Sequence, residues 1–152
     1  MLKNKINLDE IRNLIPHREP FLFLDELTNI ERLKNATGIK TFSNNEDFFK
    51  GHFPGQPVVP GVILIEMMAQ TAAALIAYSI KEETSDKIVY LMNIENTKFR
   101  KPVFPDMKIF TDVNALRSKG RVWRFEGNSY DIDQNAICEA KWSAMIMDRN
   151  NE

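Results

Sequence analysis

His52 and Glu66 are the two residues of this chain whose types and spacing can do acid–base chemistry together. Imidazole has an unperturbed pKa of ~6.5, so a neutral His52 is available as a base near neutral pH. Glu66 stands within an apolar run, residues 62–80, where burial raises a carboxyl pKa and brings the acid form within reach. A base and an acid set against one substrate are what proton abstraction coupled to protonation of a leaving group requires. Taken singly, each residue also has a structural reading: a lone histidine often serves the fold, and a lone buried carboxylate can close an ion pair. What favours chemistry is the pair of elements that carries them.

Residues 51–61 read GHFPGQPVVPG, with three prolines and three glycines in eleven residues. That composition predicts a rigid, tightly folded loop that aims His52 in a fixed direction. Residues 60–80 follow as PGVILIEMMAQTAAALIAYSI and are predicted helical, with Pro60 pre-set for the first turn. Almost every face is apolar, so the helix is buried in a core or spans a membrane. Glu66 and Gln70 lie four residues apart and share one face. Leaving such polar groups without partners in a buried helix costs on the order of several kcal/mol. Their presence, with no second apolar span, speaks against a membrane helix, and no membrane insertion is expected.

At 152 residues, 43% hydrophobic and 27% charged, the chain fits one globular domain over residues 1–152. A formal net charge of −1 predicts no nucleic-acid partner. The single cysteine, Cys138, allows no intrachain disulfide and no cysteine-based zinc site, which fits a reducing compartment. Polar residues follow Lys3 and Lys5 where a signal peptide needs an apolar run, so a cytoplasmic location is expected. Leu8, Ile11, Leu14 and Ile15 recur at helical spacing after Asn7, with Glu10 as a capping-box partner, and this short helix stops at Pro16. Residues 21–24 and 27–42 read as extended. Strands are predicted over 88–92, 96–101, 107–116, 122–130 and 136–147, separated by turn residues such as Ser118-Lys119-Gly120 and Asp133-Gln134-Asn135. One long apolar helix followed by hairpin-linked strands predicts an α+β fold in which an antiparallel sheet wraps the helix. The helix is too apolar for one sheet face to cover, so its remainder is expected to form a subunit interface, at least of a homodimer.

The segment GHFPGQPVVPGVILIEMMAQ closely resembles the active-site segment of the β-hydroxyacyl-acyl carrier protein dehydratases of FabZ type. Residues 14–25, LIPHREPFLFLD, are similar to that family's amino-terminal Pro-His-Arg motif. Residues 98–105, KFRKPVFP, look like its Arg-Phe-x-x-Pro-Val-x-Pro segment, and the resemblance covers nearly the whole chain in order and spacing. It implies a hotdog fold, a long central apolar helix enclosed by a curved antiparallel β-sheet. It also implies a homodimer, often a trimer of dimers, in which His52 of one chain meets Glu66 of its partner.

The implied reaction dehydrates (3R)-3-hydroxyacyl-acyl carrier protein to the trans-2-enoyl product in the fatty acid elongation cycle, which feeds phospholipid or lipid A; no cofactor or metal is implied. His52 suits removal of the proton beside the thioester carbonyl, and Glu66 suits protonation of the departing hydroxyl. The backbone N–H of Gly61, at the start of the apolar helix, suits the carbonyl oxygen, since Pro60 has no N–H to offer. Gln70 is expected to support a catalytic group or fix Glu66, and Phe53 to line the acyl tunnel. His17 is read as structural, pairing with Arg18 to a carboxylate or a backbone carbonyl in the turn between Pro16 and Pro20. Residues 98–124 carry eight basic side chains against two acidic ones, a patch suited to an acidic acyl carrier protein.

Two positions depart from the family pattern. Asp106 and Asn93 stand where glycines are common, and both types can serve turns. Related dehydratase-isomerases carry aspartate where Glu66 stands, which favours plain dehydration over added isomerase activity. A non-catalytic acyl-binding hotdog module is the alternative from another class, and it would have less reason to keep His52, Gly61 and Glu66.

Overall fold

The first helix begins with the capping box that its sequence predicts. In the computed structural model, which describes residues 3–80 and 87–149, the Glu10 N–H donates to the Asn7 side chain at 3.0 Å, and the Asn7 N–H donates to the Glu10 carboxylate at 2.9 Å. This opens α1 (Leu8–Arg12), which follows directly on β1 (Lys5–Asn7). Then come β2 (Glu26–Glu31), β3 (Asn35–Thr41), α2 (Gly61–Ile80), β4 (Lys87–Phe99), β5 (Lys108–Lys119), β6 (Val122–Tyr130) and β7 (Ala136–Asp148).

The seven strands form one antiparallel sheet in the order β1-β2-β3-β5-β6-β7-β4. Helix α2 packs against β2 through β7, which requires the sheet to curve around it, and this is the expected wrapped-helix arrangement. Strand β5 shows why: Ile109, Thr111 and Val113 are buried toward the helix, while Phe110, Asp112 and Asn114 alternate outward. The helix comes closest to the sheet at Gly38, where an added Cβ would lie 2.2 Å from Thr71 Oγ1 and 2.8 Å from Leu24 Cδ2. A glycine in mid-strand is therefore a packing requirement here.

Four local expectations are corrected. Residues 27–42 are a hairpin, β2 and β3, and not one extended piece. The chain reverses at Leu33 with φ +60°, and its N–H is taken by Ser79 Oγ at 2.9 Å, so the end of α2 holds a turn that no turn residue announces. Residues 88–92 and 96–99 belong to one strand, β4, which ends at Phe99 short of the expected 101 and whose apparent break consists of two register shifts, at Leu91/Asn93 and Glu95/Lys98. Asn96 adopts φ +51° at the second shift and Asp106 adopts φ +67° in the following loop, whereas Asn93 sits in the first bulge and makes no turn. Strand β1 was not expected, being only three residues long.

The fourth correction concerns residues 21–24, which form no strand. They belong to a strap, residues 13–25, that crosses α2. Gln70 accepts from the Phe23 N–H at 2.7 Å and donates to the Phe21 carbonyl at 3.0 Å, so a helix side chain replaces the ladder that a strand would need. Arg18 fixes the other end by donating to the carbonyls of Arg12, Ile15 and His17 at 2.8, 2.9 and 2.6 Å. Ile15, Leu22, Phe23 and Leu24 of the strap are buried. The strap thus covers a helix face that was expected to remain open for a subunit interface. Exposed apolar surface lies instead on the edge strand β4, at Tyr90, Leu91, Met92, Ile94 and Phe99. Among the described residues α2 alone is long and apolar enough to cross a membrane, and 72% of that window is buried inside the fold, so its apolar surface is core surface.

Replacing Gly38 by alanine drives a methyl group into the bonded Thr71 hydroxyl. Overpacking of this kind is expected to lower stability by about 3 kcal/mol, read as a fall in the denaturant midpoint at unchanged m-value.

Candidate active site

His52 leaves a single 3-10 turn, Asp47–Lys50, and enters the proline-rich loop. Its N–H donates to Phe48 O at 3.0 Å and its carbonyl accepts from Val58 N–H at 3.0 Å, closing the loop on itself. Phe53 and Gln56 exchange backbone hydrogen bonds at 3.1 and 2.9 Å, so the backbone around the histidine is bonded on both sides. His52 Nδ1 lies 2.8 Å from Val58 O. A carbonyl can only accept, so Nδ1 carries the proton and Nε2 keeps the lone pair. The loop delivers the tautomer that a base needs.

His52 lines a groove of about 640 Å³ with Val58, Pro60, Gly61, Phe99, Arg100 and Lys101 among its walls. Gly61 opens α2, and its N–H has no partner among the described residues, as the first turn of any helix predicts. An added Cβ here would lie 2.8 Å from Phe99 Cε1, so a side chain at this position would have to displace that ring. An unpaired donor at the positive end of a helix dipole, beside a basic imidazole, is a place for developing negative charge.

Glu66 lies further along α2 with its side chain 18% exposed. Gln70 Nε2 donates to Oε1 at 3.1 Å, and His17 Nε2 stands 3.5 Å from the same oxygen. Burial holds the Glu66 carboxyl above the usual glutamate range, with the Gln70 bond pulling the other way. Burial, then the neighbouring Arg18 charge, pushes the His17 imidazole below its ordinary value. Gln70 is fully buried, and its amide bonds to Phe21, Phe23 and Glu66 together.

Within one chain the expected residues therefore fall into two clusters. His52 and Gly61 share the groove, while Glu66 and Gln70 meet the strap, and no hydrogen bond or ion pair joins His52 to Glu66. Phe53 stacks on the His52 ring at 4.0 Å between centroids and is 53% exposed; it is not a wall of this groove. The basic residues of 98–124 do not form one patch. Arg100 and Lys101 line the groove, bonded to Glu139 at 2.9 Å and Asp131 at 2.6 Å. Asp131 also receives the N–H groups of Asp133 and Asn135, and the Lys101 bond, followed by those from Asn135, holds its carboxyl down at about 2. Arg117, Lys119 and Arg124 sit around the β5–β6 hairpin, and β5 runs on the order of 36 Å from end to end.

Sequence reasoning missed the approach of His17 to Glu66, although the Pro-His-Arg segment had drawn notice and a carboxylate partner for His17 was considered. It gave Phe99 no role, and it counted Arg100 and Lys101 in a basic patch for the carrier protein without placing them as walls of the groove that holds His52.

Comparison with known proteins gives the family. Residues 15–141 match the model of the FabA-like domain. The 3-hydroxyacyl-acyl-carrier-protein dehydratase FabZ of Paramagnetospirillum magneticum is 45% identical over 143 residues, covering 94% of this chain and 88% of that protein. The enzyme of the same name from Gluconobacter oxydans is 46% identical over 142 residues, covering 93% and 83%. Among solved structures, the dehydratase heterocomplex ApeI:P from Xenorhabdus doucetiae superposes with a TM-score of 0.77 at 16% identity, covering 93% of this chain and 91% of that one. A hypothetical thioesterase with coenzyme A from Streptococcus pneumoniae gives 0.58 at 8% identity, covering 82% and 87%. At such identities the structures establish the shared hotdog fold, while the family match and the close relatives establish descent: this chain belongs to the FabA-like domain family, beside the FabZ dehydratases.

Proposed function

We propose that residues 1–152 act as one dehydratase domain, a cytoplasmic hydro-lyase of the fatty acid elongation cycle that converts 3-hydroxyacyl-acyl carrier protein to the enoyl thioester. The observation that carries this reading is the shared groove, in which the basic Nε2 tautomer of His52 accompanies the unpaired N–H of Gly61. The relatives' names supply the substrate class.

In the proposed reaction, His52 Nε2 takes the proton from the carbon beside the thioester carbonyl. The electron pair left behind moves toward the carbonyl, and the charge that develops on its oxygen is met by the Gly61 N–H at the start of α2. The C–O bond to the 3-hydroxyl then breaks with its electrons on oxygen, Glu66 protonates that oxygen, and water departs. The pair ends as protonated His52 and ionised Glu66, and proton exchange through solvent restores both. The step is redox-neutral, so its balance closes without a cofactor. Glu66 must begin as the acid, which its burial and raised pKa support.

The separation of His52 from Glu66 within one chain, together with the exposed apolar residues on the edge of β4, supports a homodimer whose sites combine His52 of one copy with Glu66 of the other. Arg100 and Lys101 at the groove offer cations to an acidic carrier protein.

Three outcomes are expected. In a dehydration assay with 3-hydroxyacyl-acyl carrier protein, His52→Ala and Glu66→Gln each lower kcat by about 10²-fold or more without unfolding the protein; parent-like turnover in either removes that residue from the mechanism. The dehydration rate declines as pH rises through the elevated Glu66 pKa, because the acid form is lost, and a profile flat across and above the ordinary glutamate range would contradict Glu66 as donor. Refolding the two inactive variants together gives half the dimers one intact site of two, so activity returns to about a quarter of the parent value; no recovery would place both residues of a site in one chain.

A further inference from the structure

His17 sits where it can act on the reaction more than on the fold. The strap carries it over α2 between two sets of clamps: Arg18 bonded to three carbonyls on one side, and Gln70 bonded to Phe21 and Phe23 on the other. Its side chain is 17% exposed, its Nε2 lies 3.5 Å from Glu66 Oε1, and its Nδ1 is buried without a partner. A histidine that serves only the fold satisfies its ring nitrogens with backbone or structural side chains. Here one nitrogen meets nothing and the other meets only the carboxyl group assigned to proton transfer.

The tautomer follows from the same contacts. A neutral imidazole has one N–H. On Nδ1 it would be a buried donor with no acceptor, whereas on Nε2 it has a carboxyl oxygen 3.5 Å away. Burial and the Arg18 charge both favour the neutral ring. Gln70 Nε2 donates to that same oxygen, so Oε1 has one bonded donor and the His17 Nε2 close by, while Oε2 has no hydrogen bond or ion pair among the described residues. A proton on Oε1 would collide with both donors, and a proton on Oε2 meets neither.

We propose that His17 is a positioning residue for the dehydration: with Gln70 it reserves Oε1 of Glu66 as an acceptor of two N–H groups and so fixes Oε2 as the oxygen that protonates the departing hydroxyl. At 3.5 Å the pair is longer than a hydrogen bond in the free protein, as catalytic contacts often are before substrate tightens them. The assignment rests on the reading of Glu66 as the acid.

The test compares His17→Leu, His17→Asn and His17→Gln in the full chain, with kcat and KM for 3-hydroxyacyl-acyl carrier protein and a melting temperature for each. A glutamine amide reaches about as far as imidazole Nε2, while an asparagine amide reaches only the Nδ1 position. The expected result is a kcat lower by about tenfold or more in the leucine and asparagine variants at a KM within about twofold, with most of the rate returned by glutamine. In a Glu66→Gln background the leucine change should add nothing further. Unchanged kcat in the leucine variant overturns the proposal, as does equal loss in the asparagine and glutamine variants, or a rise in KM alone. Should His17→Leu fail to fold, the asparagine–glutamine comparison decides alone. Parent-like turnover in Glu66→Gln itself overturns the underlying assignment of the acid, whereas a dead Glu66→Gln beside a fully active His17→Leu overturns only the role of His17.

Discussion

Helix α2 has no polar face, and a helix of 20 residues without one is stable in water only if every side of it is covered. The rest of the molecule answers that constraint. Strands β2 to β7 curve around one side, and the strap from Asn13 to Asp25 closes the other with Ile15, Leu22, Phe23 and Leu24. Covering a helix with irregular chain is difficult, because each buried N–H and carbonyl needs a partner. Gln70 resolves this from within the helix by serving Phe21 and Phe23, which is why one polar residue among alanines and methionines is tolerated at zero exposure.

The same amide ties the fold to the site, since its Nε2 also reaches Glu66. A carboxyl group set among apolar side chains shifts toward its neutral form because the charged form is the one that burial disfavours. The two histidines of the chain are differentiated by comparable means. His52 is fixed by a carbonyl on Nδ1 and keeps a basic Nε2 at the groove; His17 is held neutral by burial and presents its Nε2 to Glu66. One fold thus sets two imidazoles in opposite roles, acceptor and donor, by choosing which nitrogen meets an oxygen.

Much of this was legible where the determining contacts are local. The Asn7 capping box, the start of α2 just past Pro60 and the run of β6 over residues 122–130 match their sequence signals closely. The His52 loop and Gly61 could be read together because Gly61 stands only nine positions beyond His52, at a helix start. Where partners are distant in sequence, local pattern misled. Phe21 to Leu24 look like a strand, yet their backbone is satisfied from Gln70, 47 and 49 residues away. Leu33 takes a left-handed turn only because Ser79, 46 residues on, holds it. Nor could spacing alone set His17 beside Glu66, although a polar residue stranded in an apolar helix did announce that some partner was required.

The placement of Phe99 links the edge of the sheet to the groove. Its backbone ends β4, its ring lies so close to Gly61 that a side chain there would have to push it aside, and it is 54% exposed. Beside it on the same edge strand stand Tyr90, Leu91, Met92 and Ile94, also exposed. A long unpaired edge carrying apolar side chains is a surface that favours being covered, and in the proposed homodimer a second copy of the chain would cover it without creating a new edge. Whatever pairs with β4 therefore bears on the ring that roofs the helix start. In the proposed homodimer, assembly and the proposed oxyanion donor Gly61 would be coupled through this one aromatic side chain, so losing the subunit at the edge strand would alter the groove even where no proposed catalytic residue had moved.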